Sequence, residues 1–226
     1  MPKINIVIPT YNHWNLTHSQ LWQLHRKERE HIDYVKIINN GSDDEDETAN
    51  GLAWWRASKL LPIYSITLDN NIGFLKASNM AMKDTIGDPE DILILLSNDV
   101  LIYGKFISQI KTIFSENSKS LVGGVLYSRD TGWNNFNDKI FPYLEGWLLA
   151  TTLGNWAELN YLDERFSPND YEDIDLSTTA LSLGYELVPL NNVGLVHMGA
   201  QTIKYGDERL AQTNINKKKF EEKWIK

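Results

Sequence analysis

Three groups of side chains in this sequence could do chemistry. The first is Ser97-Asn98-Asp99, three small polar residues in a row directly after the apolar run Ile92–Leu96. A run of that length suits a strand buried on both faces, and ligands of open α/β sheets sit beyond the carboxyl ends of the strands. A carboxylate there, beside an amide and a hydroxyl, suits a hard divalent cation that clamps a phosphate. Ser, Asn and Asp are also ordinary turn residues, so the triplet alone reads equally as a strand and a capped turn. The second group is Glu172-Asp173, adjacent carboxylates in Asp170–Leu176. Each charge opposes its neighbour's ionisation, although an acidic first turn that complements a helix dipole has the same composition. The third is His197, which ends the apolar run Val193–Val196 and so lies at a strand end.

The elements that must position these groups follow from periodicity. Ile4–Ile8 is a first strand broken by Pro9, and His13–Glu30 is helical, with Leu16, Leu21 and Leu24 on its inner side. Val35–Ile38 is a second strand. The acidic run Asp43–Glu47 opens a helix to about Lys59, where carboxylates favour the positive end of the dipole. Tyr64–Leu68, the helix Phe74–Ile86 and the strand Ile92–Leu96 complete the first half. Strand–helix alternation at this spacing implies right-handed βαβ units and a mostly parallel sheet. Four strand ends carry polar turns, Thr10–Asn12, Asn39–Asp44, Asn70–Gly73 and Ser97–Asp99. They converge on one sheet edge and offer backbone N–H groups to a phosphorylated ligand.

The second half is less regular. Tyr103–Glu116 reads as helix, Leu121–Tyr127 as strand, Arg129–Asn137 as a polar loop, and Tyr143–Leu153 as mixed apolar and aromatic. Asp170 is expected to cap a helix that ends at Gly184. Tyr185–Pro189 and Val193–His197 read as strands, and Asp207–Lys226 as a charged helix or tail. Trp54 and Trp55 are expected to pack within their helix, and most of the eight tryptophans to be core.

Composition narrows the class. At 226 residues with 42% apolar and 23% charged side chains, one α/β domain is expected, not a disordered chain. A net charge of −8 disfavours a nucleic-acid binder. The absence of cysteine excludes disulfides and thiolate metal sites, leaving O and N ligands. No segment approaches the length of a membrane span, and the amino terminus reads as a strand, not a signal peptide. A soluble, cytoplasmic protein is the expectation.

The ordered set of motifs resembles the family 2 glycosyltransferases of GT-A fold, in their rhamnosyltransferase-like form. The residues that carry the match are Val7–Asn12, Asn39–Asp44, Asn71-Ile72-Gly73-Phe74 with Asn79, and Leu96–Asp99. They continue with Asp163-Glu164-Arg165-Phe166, Tyr171–Leu176, Leu183-Gly184-Tyr185 and His197-Met198-Gly199. The resemblance spans nearly the whole chain. It implies an α/β, Rossmann-like single domain with helices flanking the sheet: a nucleotide-sugar half over about 1–100, an acceptor half over about 101–206, and a charged helix or tail over 207–226.

The resemblance also implies roles. Pro9, Thr10, Asn12, Asn39, Gly41, Asn71, Gly73, Lys76 and Asn98 would bind the nucleotide sugar, a UDP or dTDP sugar. Asn39 stands where the family usually has an Asp that bonds the uracil imide; an amide can still pair with a pyrimidine edge. Lys76 would face phosphate as a point charge. Asp99 occupies the last position of the family's DXD-like motif, whose first carboxylate is here Ser97. With His197 it would hold Mn²⁺ or Mg²⁺, against which stands a histidine that merely bonds backbone. Asp173 would be the general base, with Glu172 beside it. Trp147 would stack on the acceptor sugar, or be core.

The activity implied is inverting, metal-dependent transfer to a glycan hydroxyl in surface polysaccharide or glycoconjugate synthesis. A lipid-linked acceptor would accord with peripheral membrane contact through the lysines of the tail, Lys217 to Lys219, Lys223 and Lys226, but interleaved glutamates favour a solvated helix. A homodimer would add acceptor specificity. The rival is an inactive nucleotide-sugar- or carbohydrate-binding protein on the same fold, which Ser97 favours and Glu172-Asp173 opposes. A nicotinamide oxidoreductase is set aside, because Pro9–Trp14 contains no glycine.

Overall fold

The structure, a computed structural model, describes residues 2–199 and 206–225. Met1, the segment 200–205 and Lys226, named above with the tail's basic residues, lie outside them. The first half alternates strand and helix: β1 (Ile4–Thr10), α1 (Trp14–Glu28), β2 (Tyr34–Asn39), α2 (Glu47–Ser58), β3 (Ile63–Thr67), α3 (Phe74–Lys83) and β4 (Ile92–Leu96). The second half runs β5 (Val100–Ile102), α4 (Ile107–Glu116), β6 (Ser120–Gly123), β7 (Leu126–Tyr127), β8 (Asn135–Phe136), β9 (Lys139–Ile140) and β10 (Tyr143–Leu144). It closes with β11 (Leu148–Thr152), α5 (Leu153–Glu158), α6 (Glu172–Ser182), β12 (Glu186–Pro189), β13 (Leu195–His197) and α7 (Asp207–Trp224).

Seven strands form one sheet in the order β12-β6-β11-β4-β1-β2-β3. All its pairings are parallel except those of β11, which runs antiparallel to both β4 and β6. β1 and β4 lie at the centre, in register from Ile4↔Ile92 to Val7↔Leu95. Because side chains alternate along a strand, Ile4, Ile6, Ile8, Ile92, Ile94 and Leu96 face one apolar layer, with Leu21 and Leu24 of α1. Val7, Leu93 and Leu95 face the other, with Leu75 of α3 and Trp156 of α5. The unbroken apolar run of β4 is therefore a strand covered on both sides, each side chain contributing about 1.5–3 kcal/mol by burial.

Several expectations are corrected. The helix expected from Tyr103 starts at Ile107, because Val100–Ile102 pairs with β13 and the Tyr103 N–H donates to Gly194 O at 2.8 Å. The strand expected over Leu121–Tyr127 breaks after Gly123. At Gly124 an added Cβ would fall 1.9 Å from the Trp147 ring, so the chain turns there and β7 pairs with β10. Trp55 is fully buried, but Trp54 is 50% exposed and touches Trp55 edge-on.

Asp170 does not cap α6. Tyr171 holds that position in left-handed conformation (φ 76°), and the Asp170 carboxylate meets Arg209 at 2.9 Å and the Thr213 hydroxyl at 2.6 Å. α7 is the expected charged helix with a solvated face, but its other face packs on the protein. Phe220 is fully buried against Phe136 and Phe141. Lys223 spans Asp163 and Asp175, and Trp224 Nε1 donates to Asp175 Oδ1 at 2.7 Å. No described helix is long and apolar enough to cross a membrane.

Candidate active site

A cleft of about 1070 Å³ opens beyond the carboxyl ends of β1, β2 and β4. Ten of the expected residues line it: Pro9, Thr10, Asn71, Gly73, Asn98, Asp99, Trp147, Glu172, Asp173 and His197. Asn12, Asn39, Gly41 and Lys76 are not among the lining residues.

The floor is built from polar groups that bond one another. Asn98 is buried and donates to the hydroxyls of Thr10 (3.2 Å) and Thr17 (3.1 Å). Gln20 of α1 donates to the carbonyls of Ser97 and Val100, and the Ser97 N–H donates to Trp147 O. The turn that carries Asp99 is thus tied to α1 on one side and β11 on the other. Gln20 was missed by sequence reading; nothing distinguishes it from any polar residue of an amphipathic helix.

The rim consists of the first three turns locked together. Asn12 donates to Asp43 Oδ1 and accepts from the Asp43 N–H. Asn39 accepts from the Ser42 N–H at 3.0 Å and is buried. Gly41, at φ 71°, approaches so closely that a Cβ would lie 2.3 Å from the Asn70 carbonyl carbon. These three residues shape the turns. It is Asn40 that reaches the cleft, where its amide donates to Asn71 Oδ1 at 2.9 Å and its carbonyl accepts from the Ile72 N–H. The doublet Asn39-Asn40 was the available signal, but adjacent residues point to opposite sides.

In the cleft wall Asp99 Oδ1 accepts from Ser97 Oγ at 2.8 Å and lies 3.3 Å from His197 Nε2. Burial opposes charge on Asp99, but the His197 and Ser97 contacts outweigh it and hold the carboxyl below its ordinary range. The other His197 nitrogen is 3.9 Å from Glu145 Oε1. Trp147 stacks on the His197 ring at 5.6 Å and donates from Nε1 to Glu145 at 3.0 Å. Only 7% exposed, Trp147 is a wall that orients His197 and not an open face for a sugar ring. Glu145 was not singled out from sequence, although it sits beside Trp147 in the chain.

Across the Glu145–Trp147 segment from Asp99 and His197, α6 presents Glu172 and Asp173. The Asp173 carboxylate accepts from the N–H groups of Gly146 (3.2 Å) and Ile174 (2.8 Å). Burial, reinforced by the charge of Glu145, outweighs those bonds and pushes its pKa up to about 7. Glu172 is more deeply buried, with Oε2 lacking a partner. Burial and the neighbouring Asp173 charge raise it well above the carboxylate range. Burial thus favours the protonated form of both carboxyls, a property suited to acid–base work. α7 secures the pair: Asn216, fully buried, donates to the carbonyls of Phe166, Asn169 and Asp170.

Among the described residues no three or more His, Cys, Asp or Glu side chains gather as a metal site. Asp99 offers a hard carboxylate and His197 a borderline imidazole nitrogen, a donor pair that would suit Mn²⁺ or Mg²⁺ if substrate phosphates completed the coordination.

The family model described as glycosyl transferase family 2 matches residues 5–175. No curated protein matches the chain in sequence. In structure the chain is similar to mannosyltransferase PcManGT from Pyrobaculum calidifontis, solved with GDP-Man and Mn²⁺. The identity is 18%, the TM-score 0.74, and the match covers 100% of this chain and 65% of that one. It is similar to GalNAc-T7, solved with UDP, GalNAc and Mn²⁺, at 12% identity and TM-score 0.77, covering 98% and 48% of the two chains. It is also similar to residues 1–349 of S. aureus TarS in complex with UDP, at 18% identity and TM-score 0.65, covering 85% and 59%. The chain thus spans no more than 65% of the length of these proteins, and at such identities the likeness establishes the GT-A fold.

Proposed function

The chain belongs to glycosyl transferase family 2, and we propose that it is a glycosyltransferase that moves one sugar from a nucleotide-diphosphate sugar to a glycan hydroxyl, with inversion and with a divalent cation. The observation that carries this reading is one cleft lined by two chemically distinct pairs, Asp99 with His197 and Glu172 with Asp173, joined through the Glu145–Trp147 segment. The first pair suits a diphosphate and its cation, and the second suits a hydroxyl that must lose a proton.

Thr10, Asn98, Asn40 and Asn71 would meet the nucleoside and its first phosphate, since these polar groups line the cleft between β1 and α3. Asp99 and His197 would hold Mn²⁺ or Mg²⁺, which supplies neutralisation of the charge on the diphosphate leaving group. Asp173 would accept the proton of the acceptor hydroxyl as its oxygen attacks the anomeric carbon from the face opposite the diphosphate. Glu172, buried beside it with its ionisation disfavoured, would keep the proton affinity of the pair high. The two N–H groups on the Asp173 carboxylate fix its aim. The donor is proposed to be a UDP or dTDP sugar, with the acceptor in surface polysaccharide or glycoconjugate synthesis at the cytoplasmic side.

Thermal unfolding measured with UDP, dTDP and GDP sugars, with Mn²⁺ and with chelator, tests the reading. Ligand at about 100 times its Kd stabilises by about 2.7 kcal/mol, or roughly 5–10 °C in a chain of this size. A rise that needs both nucleotide and metal supports the proposal and identifies the base. A rise with free glycans and with no nucleotide would turn it to a carbohydrate-binding protein.

A further inference from the structure

A second cavity, of about 570 Å³, adjoins the cleft, and Glu145, Glu172, Asp173 and Arg209 line both. The carboxylate pair therefore stands at the boundary between two spaces. The far space is walled by Trp133, Tyr143, Tyr171 and Leu210. Trp133 is 48% exposed, unlike Trp147, which is buried behind His197.

An exposed tryptophan on a loose loop would mean little, but this loop is held. Asn134, fully buried, accepts from the Thr131 N–H and hydroxyl, and donates to the carbonyls of Arg129 and Phe141. The Tyr171 hydroxyl donates to Trp133 O at 3.1 Å, and Tyr171 directly precedes Glu172-Asp173. One hydrogen bond thus links the backbone beneath the indole to the residue that caps the base-bearing helix. A rigid indole beside a proton acceptor is the arrangement that fixes a sugar ring by its C–H face while its hydroxyls turn to polar groups.

The charges around this space are one-sided. Among the described residues Glu145, Asp173 and Asp207 line it with carboxylates, beside Glu172, whose burial disfavours its charge, and Asp170, which is offset by Arg209, the one basic lining residue. We propose that this cavity is the acceptor subsite, with Trp133 as its stacking platform, and that it takes an uncharged or amine-bearing sugar in preference to a uronate or a phosphorylated sugar. The chemistry is stacking for orientation and like-charge repulsion against anionic rings. This proposal rests on the transferase reading above and deepens it.

The test uses the full chain with UDP and Mn²⁺ and four probes: p-nitrophenyl glycosides of glucose, galactose, glucosamine and glucuronic acid. Saturation-transfer NMR and titration read binding, first to the wild type and then to Trp133→Ala and Trp133→Phe. We expect the neutral and amino sugars to bind and the glucuronide to bind at least about tenfold more weakly. Trp133→Ala should weaken binding about fivefold to tenfold, the size of one aromatic contact, with Trp133→Phe restoring most of it. A glucuronide that binds as well as glucose overturns the charge argument. Binding unchanged in Trp133→Ala, or no binding of any probe to the wild type, overturns the subsite. UDP and Mn²⁺ binding, followed separately by thermal unfolding, reports the donor cleft alone. If that fails while the glycosides still bind, the transferase reading falls and the sugar site stands.

Discussion

Replacing Asp173 by Asn should slow transfer by orders of magnitude and stabilise the fold, with the gain confined to high pH. The carboxyl is pushed up to about 7 from the ordinary 3.8, chiefly by burial and then by the charge of Glu145. A carboxyl whose folded pKa exceeds its unfolded value binds its proton more tightly when folded. Its contribution is therefore fully present below about pH 4 and is lost as pH rises through about 7. The gap of about 3 pH units, at about 1.36 kcal/mol each, is on the order of 4 kcal/mol. Because Asp173 opens on the water of the cleft, about half of that, ~2 kcal/mol, is expected in Asp173→Asn at pH 8. For a chain of this size the melting temperature should rise roughly 4–8 °C. An Asn keeps one of the two N–H bonds from Gly146 and Ile174, and its amide opposes the other, as the protonated acid's hydroxyl also does. At pH 4 wild type and variant should melt together. The rate of transfer should fall about 10²–10⁴-fold, the usual contribution of a general base. Melting curves at pH 4, 6 and 8, paired with turnover, decide it. A wild-type rate would refute the base assignment, and a stability gain independent of pH would refute the buried-charge reasoning.

Other outcomes are expected from the same geometry. Turnover should rise with pH along an acid limb with an apparent pKa near 7 that belongs to the Glu172–Asp173 pair; a flat profile between pH 5.5 and 8 would contradict it. Asp99→Asn or His197→Ala should weaken Mn²⁺-dependent binding of UDP by at least about tenfold, read by calorimetry, because the first removes the anionic charge and the second the imidazole nitrogen offered to the cation. Asn216→Ala strands the carbonyls of Phe166, Asn169 and Asp170. It should destabilise by about 1–3 kcal/mol, seen as a melting point lower by roughly 2–10 °C.

The sequence by itself determined the sheet, its helical flanks and the stretches that carry chemistry. Alternation of apolar runs with amphipathic segments is local, and the unbroken run Ile92–Leu96, too short for a helix of ordinary length, suits a strand covered on both faces, which it is. Ser97–Asp99, Glu172-Asp173 and His197 were legible as reactive types at strand and helix ends, and the cleft gathers them. Tertiary structure decided what each side chain faces. Asn39 and Asn40 are equivalent in sequence, yet one is turned into its own loop and the other into the cleft, because pleat parity follows from strand pairing. Trp147 and Trp133 are both tryptophans near the acceptor half, yet the lack of a side chain at Gly124 lets one close behind His197, while Asn134 props the other outward.

The tail shows the same limit most plainly. Its alternating lysines and glutamates read as a solvated helix, and only the long-range partners Asp163, Asp170 and Asp175 turn Lys223, Arg209 and Trp224 inward to clasp the base-bearing helix. Charge periodicity reports which residues share a face. Which face meets protein is set by groups some forty to sixty residues away in the chain.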